Sequence, residues 1–311
     1  MPTAHVQIVG WNHRPYLDAC LTACLAQTVR VPVLYIDNAS TDGSVDFVRR
    51  TFPAVRIVAN AQNRGYAGGH NAGLKAIADT EIAILLNPDV VVSENFVEEI
   101  LKGFSDERVA AVAPLLLRNK ELGIRNKGAD EPVLDAYGTV LLPSLRAVNQ
   151  YEGVSLSSLI PRLSSLTLPW GFSGAAVALR RTALNDIAID GEVFDEDLFA
   201  YREDVDLSWR LLNRRWRIVG AATARGTHVR RVKKGEPRPP RISQLSWRNY
   251  FLVLVKSVPS SVLWRHAFPL AVESAVRSAQ LVATPTLWPA LPSLFSYLPR
   301  FIMKRKRVFA R

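Results

Sequence analysis

Asp89 makes the first claim to chemistry in this 311-residue chain, closing an Asn87-Pro88-Asp89 turn directly after an apolar run at residues 81–86. A hard cation such as Mg2+ or Mn2+ that bridges a diphosphate needs only one or two protein carboxylates, because phosphate oxygens and water fill the other positions. Read alone, an Asp after a strand is equally a turn or helix-cap residue. Three other apolar runs end the same way, however. Residues 6–9 lead to Trp11-Asn12, residues 33–36 to Asp37-Asn38, and residues 55–59 to Asn60 and Asn63. The segment from Asp37 to Gly43 puts a carboxylate and an amide where a nucleoside base and ribose can be hydrogen-bonded, and it also serves to cap the next helix. Asn63-Arg64-Gly65 opens a Gly-rich stretch running through Asn71 to Gly73. Such an entry into a helix allows close backbone approach to a ligand and offers free N–H groups to an anion. It lacks the G-x-G-x-x-G spacing and a Walker lysine, which argues against dehydrogenase and P-loop readings.

These residues need a frame that brings strand ends together. Over the first 110 positions short apolar strands alternate with helical patterns at residues 16–27, 44–50, 69–78 and 94–104. That pattern predicts a parallel sheet covered on both faces, with ligands at the carboxyl ends of its strands. From residue 109 to 168 the pattern weakens, with one strand expected near residues 110–113 and a variable excursion through 120–165. A strand at 174–179 and a helix at 204–215 follow. The helix carries Val205, Trp209, Leu212 and Trp216 on one apolar stripe and an Asp206–Arg210 ion pair. A last strand at 218–221 leads towards His228.

The ordered series of motifs resembles family 2 glycosyltransferases of the GT-A fold, and within them the rhamnosyltransferase-like branch. It comprises Trp11-Asn12, Asp37 to Gly43, Asn63 to Gly73, Asn87 to Asp89, Gly171 to Arg181, Phe194 to Arg210 and His228. The match covers roughly residues 4–232. It implies an α/β GT-A fold: a mostly parallel, Rossmann-like sheet flanked by helices, with a C-terminal amphipathic helical extension. The expected division is a catalytic domain over 1–240 (nucleotide half 1–110, acceptor half 111–240) and a basic region over 241–311.

The resemblance also implies roles. Asp37 would contact the base or ribose, with Asn38 beside it and Asn12, Asn63, Arg64, Gly65 and Asn71 lining the nucleotide-sugar site. Asp89 would bind the metal, Asn87 standing where the family's first Asp does, and His228 would be a further metal or diphosphate ligand. Glu203-Asp204 matches the family's Glu-Asp pair, with Asp204 as general base. An inverting transfer needs a carboxylate to take the acceptor hydroxyl's proton as that oxygen attacks the anomeric carbon. The start of a helix favours an ionised Asp. Arg230 and Arg231 lie in a Gly- and Pro-punctuated basic stretch suited to closing over the diphosphate. Trp170 is either a sugar-stacking or a core residue, Ser173-Gly174 lets an acceptor approach the backbone, and Arg180 and Arg181 are ion-pair or phosphate residues.

The charge is uneven. Residues 1–206 carry 18 Lys and Arg against 26 Asp and Glu, whereas residues 207–311 carry 21 against 2. Such a basic third points to an anionic partner. Nucleic acid would account for the charge but not for the acidic strand ends, and no helix-turn-helix, zinc-finger or RNP-like segment is present. An anionic membrane surface is the expected partner, reached through the Trp-containing tail and the Lys304-Arg305-Lys306-Arg307 cluster. Four prolines between 285 and 299 argue against a spanning helix. The N-terminus runs straight into a strand, and Cys20 and Cys24 read as reduced thiols, so a cytoplasmic, membrane-peripheral location is expected.

The leading expectation is transfer of L-rhamnose from dTDP-rhamnose to a saccharide, polyprenyl-diphosphate-linked, in cell-surface polysaccharide synthesis. A UDP-hexose donor on the same fold is the nearest alternative. A non-catalytic nucleotide-sugar or glycan-binding protein is the alternative of another class.

Overall fold

The computed structural model describes residues 1–118, 132–161, 168–229 and 239–310. The first half alternates as its apolar runs require: β1 (Ala4–Gly10), α1 (Arg14–Leu25), β2 (Val33–Asp37), α2 (Ser44–Thr51), β3 (Arg56–Ala59) and α3 (Gly65–Ala76). Then come β4 (Ile82–Leu86), β5 (Val90–Val92), α4 (Phe96–Lys102) and β6 (Val109–Arg118). The middle holds β7 (Leu134–Tyr137), β8 (Thr139–Leu141), β9 (Ala147–Asn149), α5 (Leu156–Leu159), β10 (Ala176–Arg180) and α6 (Arg181–Ile187). The remainder is α7 (Glu203–Asn213), β11 (Arg217–His228), α8 (Pro240–Ser257), α9 (Ser260–Arg265), α10 (Ala267–Ala283) and α11 (Ala290–Phe309).

One sheet runs β3-β2-β1-β4-β10-β6-β11-β5, with β7 added beside β6. Strands β1 to β4 are mutually parallel, and every residue of β2 and β4 is buried, as covered faces require. The parallel pattern does not persist. β10 lies antiparallel to both β4 and β6, so the whole sheet is mixed.

Arg180 and Arg181 are neither ion-paired nor aimed at a phosphate. Arg180 donates to the carbonyls of Val109, Phe104 and Asp106, and Arg181 to those of Thr80, Leu74 and Ile77. They satisfy backbone acceptors at the ends of α3 and α4.

α7 is buried on two faces, not on the single stripe its sequence suggests. Leu207 and Leu211 pack towards the sheet, while Val205 and Trp209 pack with Leu252, Val253 and Phe301 of the C-terminal helices. The Asp206–Arg210 pair forms, and Asp206 also takes Lys256 Nζ at 2.8 Å. Lys256, wholly buried, reaches Asp195 at 2.5 Å as well, and Lys304 bridges Asp195 and Asp197. Burial raises the Asp195 carboxyl, but the two ammonium groups outweigh it and hold the acid well below its usual range.

The terminal basic cluster is therefore largely spent on the body. Arg305 caps the carbonyls of Val255 and Val258, and Arg307 pairs with Asp190. The C-terminal helices also leave large apolar side chains exposed: Trp264, Phe268, Val282, Trp288 and Phe295 are each more than half exposed. Among the described residues, no helix is long and apolar enough to cross a membrane.

Candidate active site

The rim of β1 and β2 is knitted from its own motifs. Asn12, at a positive φ of 54°, accepts from the Thr41 N–H through its side-chain oxygen, and its own N–H donates to Ser40 Oγ. Asp37 is buried; its carboxylate accepts from the Ser40 N–H and from the Tyr35 hydroxyl. Asn38 Nδ2 donates to the Gly65 carbonyl while its oxygen accepts from Asn60. Asn63 Oδ1 accepts from the Gly65 N–H at the start of α3.

Two expected nucleotide contacts point elsewhere. Arg64 pairs with Glu196 at 2.7 Å, and Asn71 exchanges hydrogen bonds with the backbone of Phe194. Both staple the loop of residues 194–202 onto α3. Gly65 is required there: at φ 66° a Cβ would lie 2.3 Å from the Phe199 carbonyl, which itself accepts from the Ala67 N–H.

β5 pairs antiparallel with β11 so that His228 lies opposite Val90, and the Val229 N–H donates to the Asp89 carbonyl. This register brings His228 Nε2 to 3.4 Å from Asp89 Oδ1, an oxygen that accepts no hydrogen bond. On its other side, His228 Nδ1 meets Asp135 Oδ2 at 2.8 Å, and Arg118 approaches Asp135 at 3.7 Å. Burial lowers the His228 pKa, but Asp135 and Asp89 outweigh it and push it up to about 9. Sequence reasoning missed Asp135. It lies 93 positions from His228, in the stretch with no clear pattern. Among the described residues no group of three or more acidic, His or Cys side chains is placed to hold a metal unaided. Asn87 borders the same rim; its N–H donates to the Ala175 carbonyl.

One residue before Ala175, the Gly174 N–H donates to Asp204 Oδ2 at 3.1 Å. Asp204 Oδ1 accepts from its neighbour Val205 N–H, and the Tyr66 hydroxyl donates to the Gly174 carbonyl. Helix position alone argues for a lowered Asp204 pKa. Burial overrides it: the carboxyl is raised, with the Gly174 and Val205 N–H groups opposing. Glu203 is pushed up further, by burial and by Asp204's charge, and its Oε2 has no partner. Gly174 forms the floor between Tyr66 and Glu203, where an added Cβ would lie 3.4 Å from the phenol oxygen and 3.6 Å from the carboxyl. Trp170 packs edge-on against Trp209 at 5.0 Å, and Ser173 lies one residue before Gly174. Arg230 and Arg231 lie outside the described residues.

Loop 198–202 carries Asp204 into position at a cost. Phe199, Tyr201 and Arg202 all have positive φ, which is strained for non-glycine residues. Asn249 of α8 offsets this, its amide donating to the carbonyls of Leu198, Ala200 and Tyr201.

Comparison with known proteins bears on the fold and the family. Residues 6–157 match the model for Glycosyl transferase family 2. The N-acetylglucosaminyl-diphospho-decaprenol L-rhamnosyltransferase of Mycobacterium tuberculosis is 27% identical over 237 residues, 72% of this chain and 75% of that protein. Among solved structures, GalNAc-T7 with UDP, GalNAc and Mn2+ aligns with a TM-score of 0.59 at 16% identity, over 82% of this chain and 48% of that one. The mannosyltransferase PcManGT from Pyrobaculum calidifontis, with GDP-Man and Mn2+, aligns at 0.56 and 16% identity, over 96% and 87%. The fold is that of GT-A glycosyltransferases. In sequence the chain is similar, over residues 6–157, to family 2 glycosyltransferases and, more broadly, to a rhamnosyltransferase.

Proposed function

We propose that the protein transfers L-rhamnose from dTDP-rhamnose, with inversion, to a polyprenyl-diphosphate-linked saccharide. The observation that carries this reading is Asp204, half-buried and held by the Gly174 N–H beside the Asn87 strand end. A carboxylate whose pKa is raised by burial takes a proton more readily. Asp204 accepts the acceptor hydroxyl's proton as that oxygen bonds to the anomeric carbon, and the bond to the donor diphosphate breaks on the opposite face. From β-L-rhamnose this gives an α-linkage. Gly174 keeps the floor open for the acceptor, and Tyr66 fixes Gly174.

Asp89 and His228 fit a divalent cation. Their facing atoms are 3.4 Å apart, close to the spacing of about 3 Å between adjacent ligands of an octahedral ion. Both would hold Mg2+ or Mn2+, with Asp135 fixing the imidazole, as carboxylate partners of ligating histidines do. The bound ion would supply charge to the departing diphosphate. Asp37, Asn12, Asn38 and Asn63 form the nucleoside side of the rim. The 27% identity to a rhamnosyltransferase supports the sugar, and the UDP bound by GalNAc-T7 keeps a UDP-hexose as the second reading.

The exposed aromatic face of α9 to α11, rather than the terminal Lys-Arg cluster, would meet an anionic membrane surface on the cytoplasmic side. Such a surface is where a lipid-linked acceptor resides.

Thermal-shift measurements with dTDP, UDP and GDP, each with and without Mn2+, test the donor, and dTDP is expected to raise Tm most. Asp204→Asn is expected to lower turnover by about 100-fold or more while leaving that shift intact. Retained turnover removes Asp204 as the base, and no shift with any nucleotide removes the reading altogether.

A further inference from the structure

Three arginines from separate parts of the chain gather on the Asp204 side of the site. Arg202 immediately precedes Glu203-Asp204, Arg146 lies at the tip of the β8–β9 hairpin, and Arg277 projects from α10. Their scaffolds are tied together by α8. Tyr250 donates its hydroxyl to the Ser144 carbonyl in the hairpin, and Arg277 stacks over the Tyr250 ring at 4.0 Å. Trp247 Nε1 donates to the Arg277 carbonyl. Asn249 fixes the loop that carries Arg202, and His266, at the start of α10, meets the Pro143 carbonyl at 2.8 Å.

The cations outnumber what faces them. Arg277 is 8% exposed, pairs with Glu273 at 2.9 Å, and leaves its Nε without a partner. Among the described residues, neither Arg146 nor Arg202 makes a side-chain hydrogen bond or ion pair. The acids facing the cluster are Asp204 and Glu273. Burial, then Arg277 and Arg146, pull Arg202 below its ordinary value, with Asp204 opposing. Burial likewise lowers Arg277, and Arg146 adds to it. Three guanidiniums held close enough to repel are costly unless an anion is recruited, and the planar fork of Arg suits phosphate oxygens. Arg202 adjoins Glu203-Asp204, on the proposed acceptor side, whereas the donor diphosphate is proposed to lie at the Asp89 strand end.

We propose that Arg146, Arg202 and Arg277 form a phosphate subsite for the acceptor, so that the acceptor bears a phosphate or diphosphate ester beside the sugar that is glycosylated. This rests on the glycosyltransferase reading and adds to it a recognition element for the acceptor's charged group, set apart from the donor's. The tail helices thereby complete the acceptor site, since Arg277 and the Tyr250 that orients it both come from beyond residue 240.

The test uses the full chain with dTDP and Mn2+ present, and titrates farnesyl-diphospho-N-acetylglucosamine against free N-acetylglucosamine. The diphosphate ester should bind at least about tenfold more tightly than the free sugar. Arg146→Gln and Arg277→Gln should each remove about tenfold of that affinity, the scale of one charge-assisted hydrogen bond. Arg146 is exposed and makes no contact whose loss would unfold the protein, so its variant remains interpretable if Arg277→Gln is unstable. The nucleotide-induced thermal shift of each variant monitors the donor site separately. Its absence already in the wild type would count against the proposed function, not against the subsite. Equal affinity of wild type and Arg146→Gln for the diphosphate ester overturns the subsite. So does a loss confined to phosphatidylglycerol vesicles, which would make a membrane headgroup the occupant.

Discussion

The proposed nucleotide rim and the loop that carries the proposed base, Asp204, are built in opposite ways. At the rim, Asn12, Asp37, Ser40, Thr41 and Asp42 bond to one another within two short motifs, at separations of about 30 residues or less. The loop before Asp204 has strained backbone at Phe199, Tyr201 and Arg202 and is held from outside, by Asn249 some 50 residues later and by the buried Lys256 cluster behind α7. A self-bonded rim is preformed whatever the tail does. The loop is braced by the C-terminal helices, so under the proposed function the tail acts on acceptor chemistry more directly than on donor binding.

That contrast can be broken most severely at Lys256. Lys256→Met strips a cation from between Asp195 and Asp206, and an unpaired buried charge costs about 3–5 kcal/mol. Urea denaturation should register a loss of that size, accompanied by loss of turnover. Asn249→Ala should cost about 1–3 kcal/mol. Its sharper signature is kinetic: turnover falls while the nucleotide-induced Tm shift stays at the wild-type value. If both fall together, the two halves are not independent.

A pH-dependent effect is expected beneath the rim. His5 and His70 are buried, and desolvation lowers their pKa values to about 4 and about 3. Both values lie below that of the unfolded chain, so the unfolded state binds protons first. Stability is then complete above about pH 6.5 and declines as pH falls towards 4 and 3. Tm measured from pH 7 to 4 should fall, and His70→Gln should flatten part of that fall.

Legibility in the sequence follows the same division. The Glu203-Asp204 pair stood out only through the family resemblance, whereas the parallel strands and the four polar strand ends are written in local patterns of apolar runs and turns and were readable there. The antiparallel insertion of β10, Asp135 behind His228, and the burial of α7 on two faces were not. Each depends on pairing between residues with no periodic relation, such as Asp135 with His228 or Lys256 with Asp195. The Lys304 to Arg307 cluster misled for a related reason. A run of cations looks solvent- or lipid-facing until Asp190, Asp195 and Asp197 are seen to lie against it. Arg180 and Arg181 look like phosphate ligands until the helix ends they serve are placed.

The close approach of Gly65 to Phe199 has a thermodynamic corollary. The Phe199 carbonyl receives the Ala67 N–H at the mouth of α3, so the start of the donor-side helix and the strained acceptor-side loop share one backbone hydrogen bond. Whatever free energy donor binding contributes to ordering that junction is returned, by reciprocity, when an acceptor orders it first. Under the proposed function Gly65, by having no side chain, would thus tie the binding of the two substrates to one backbone junction.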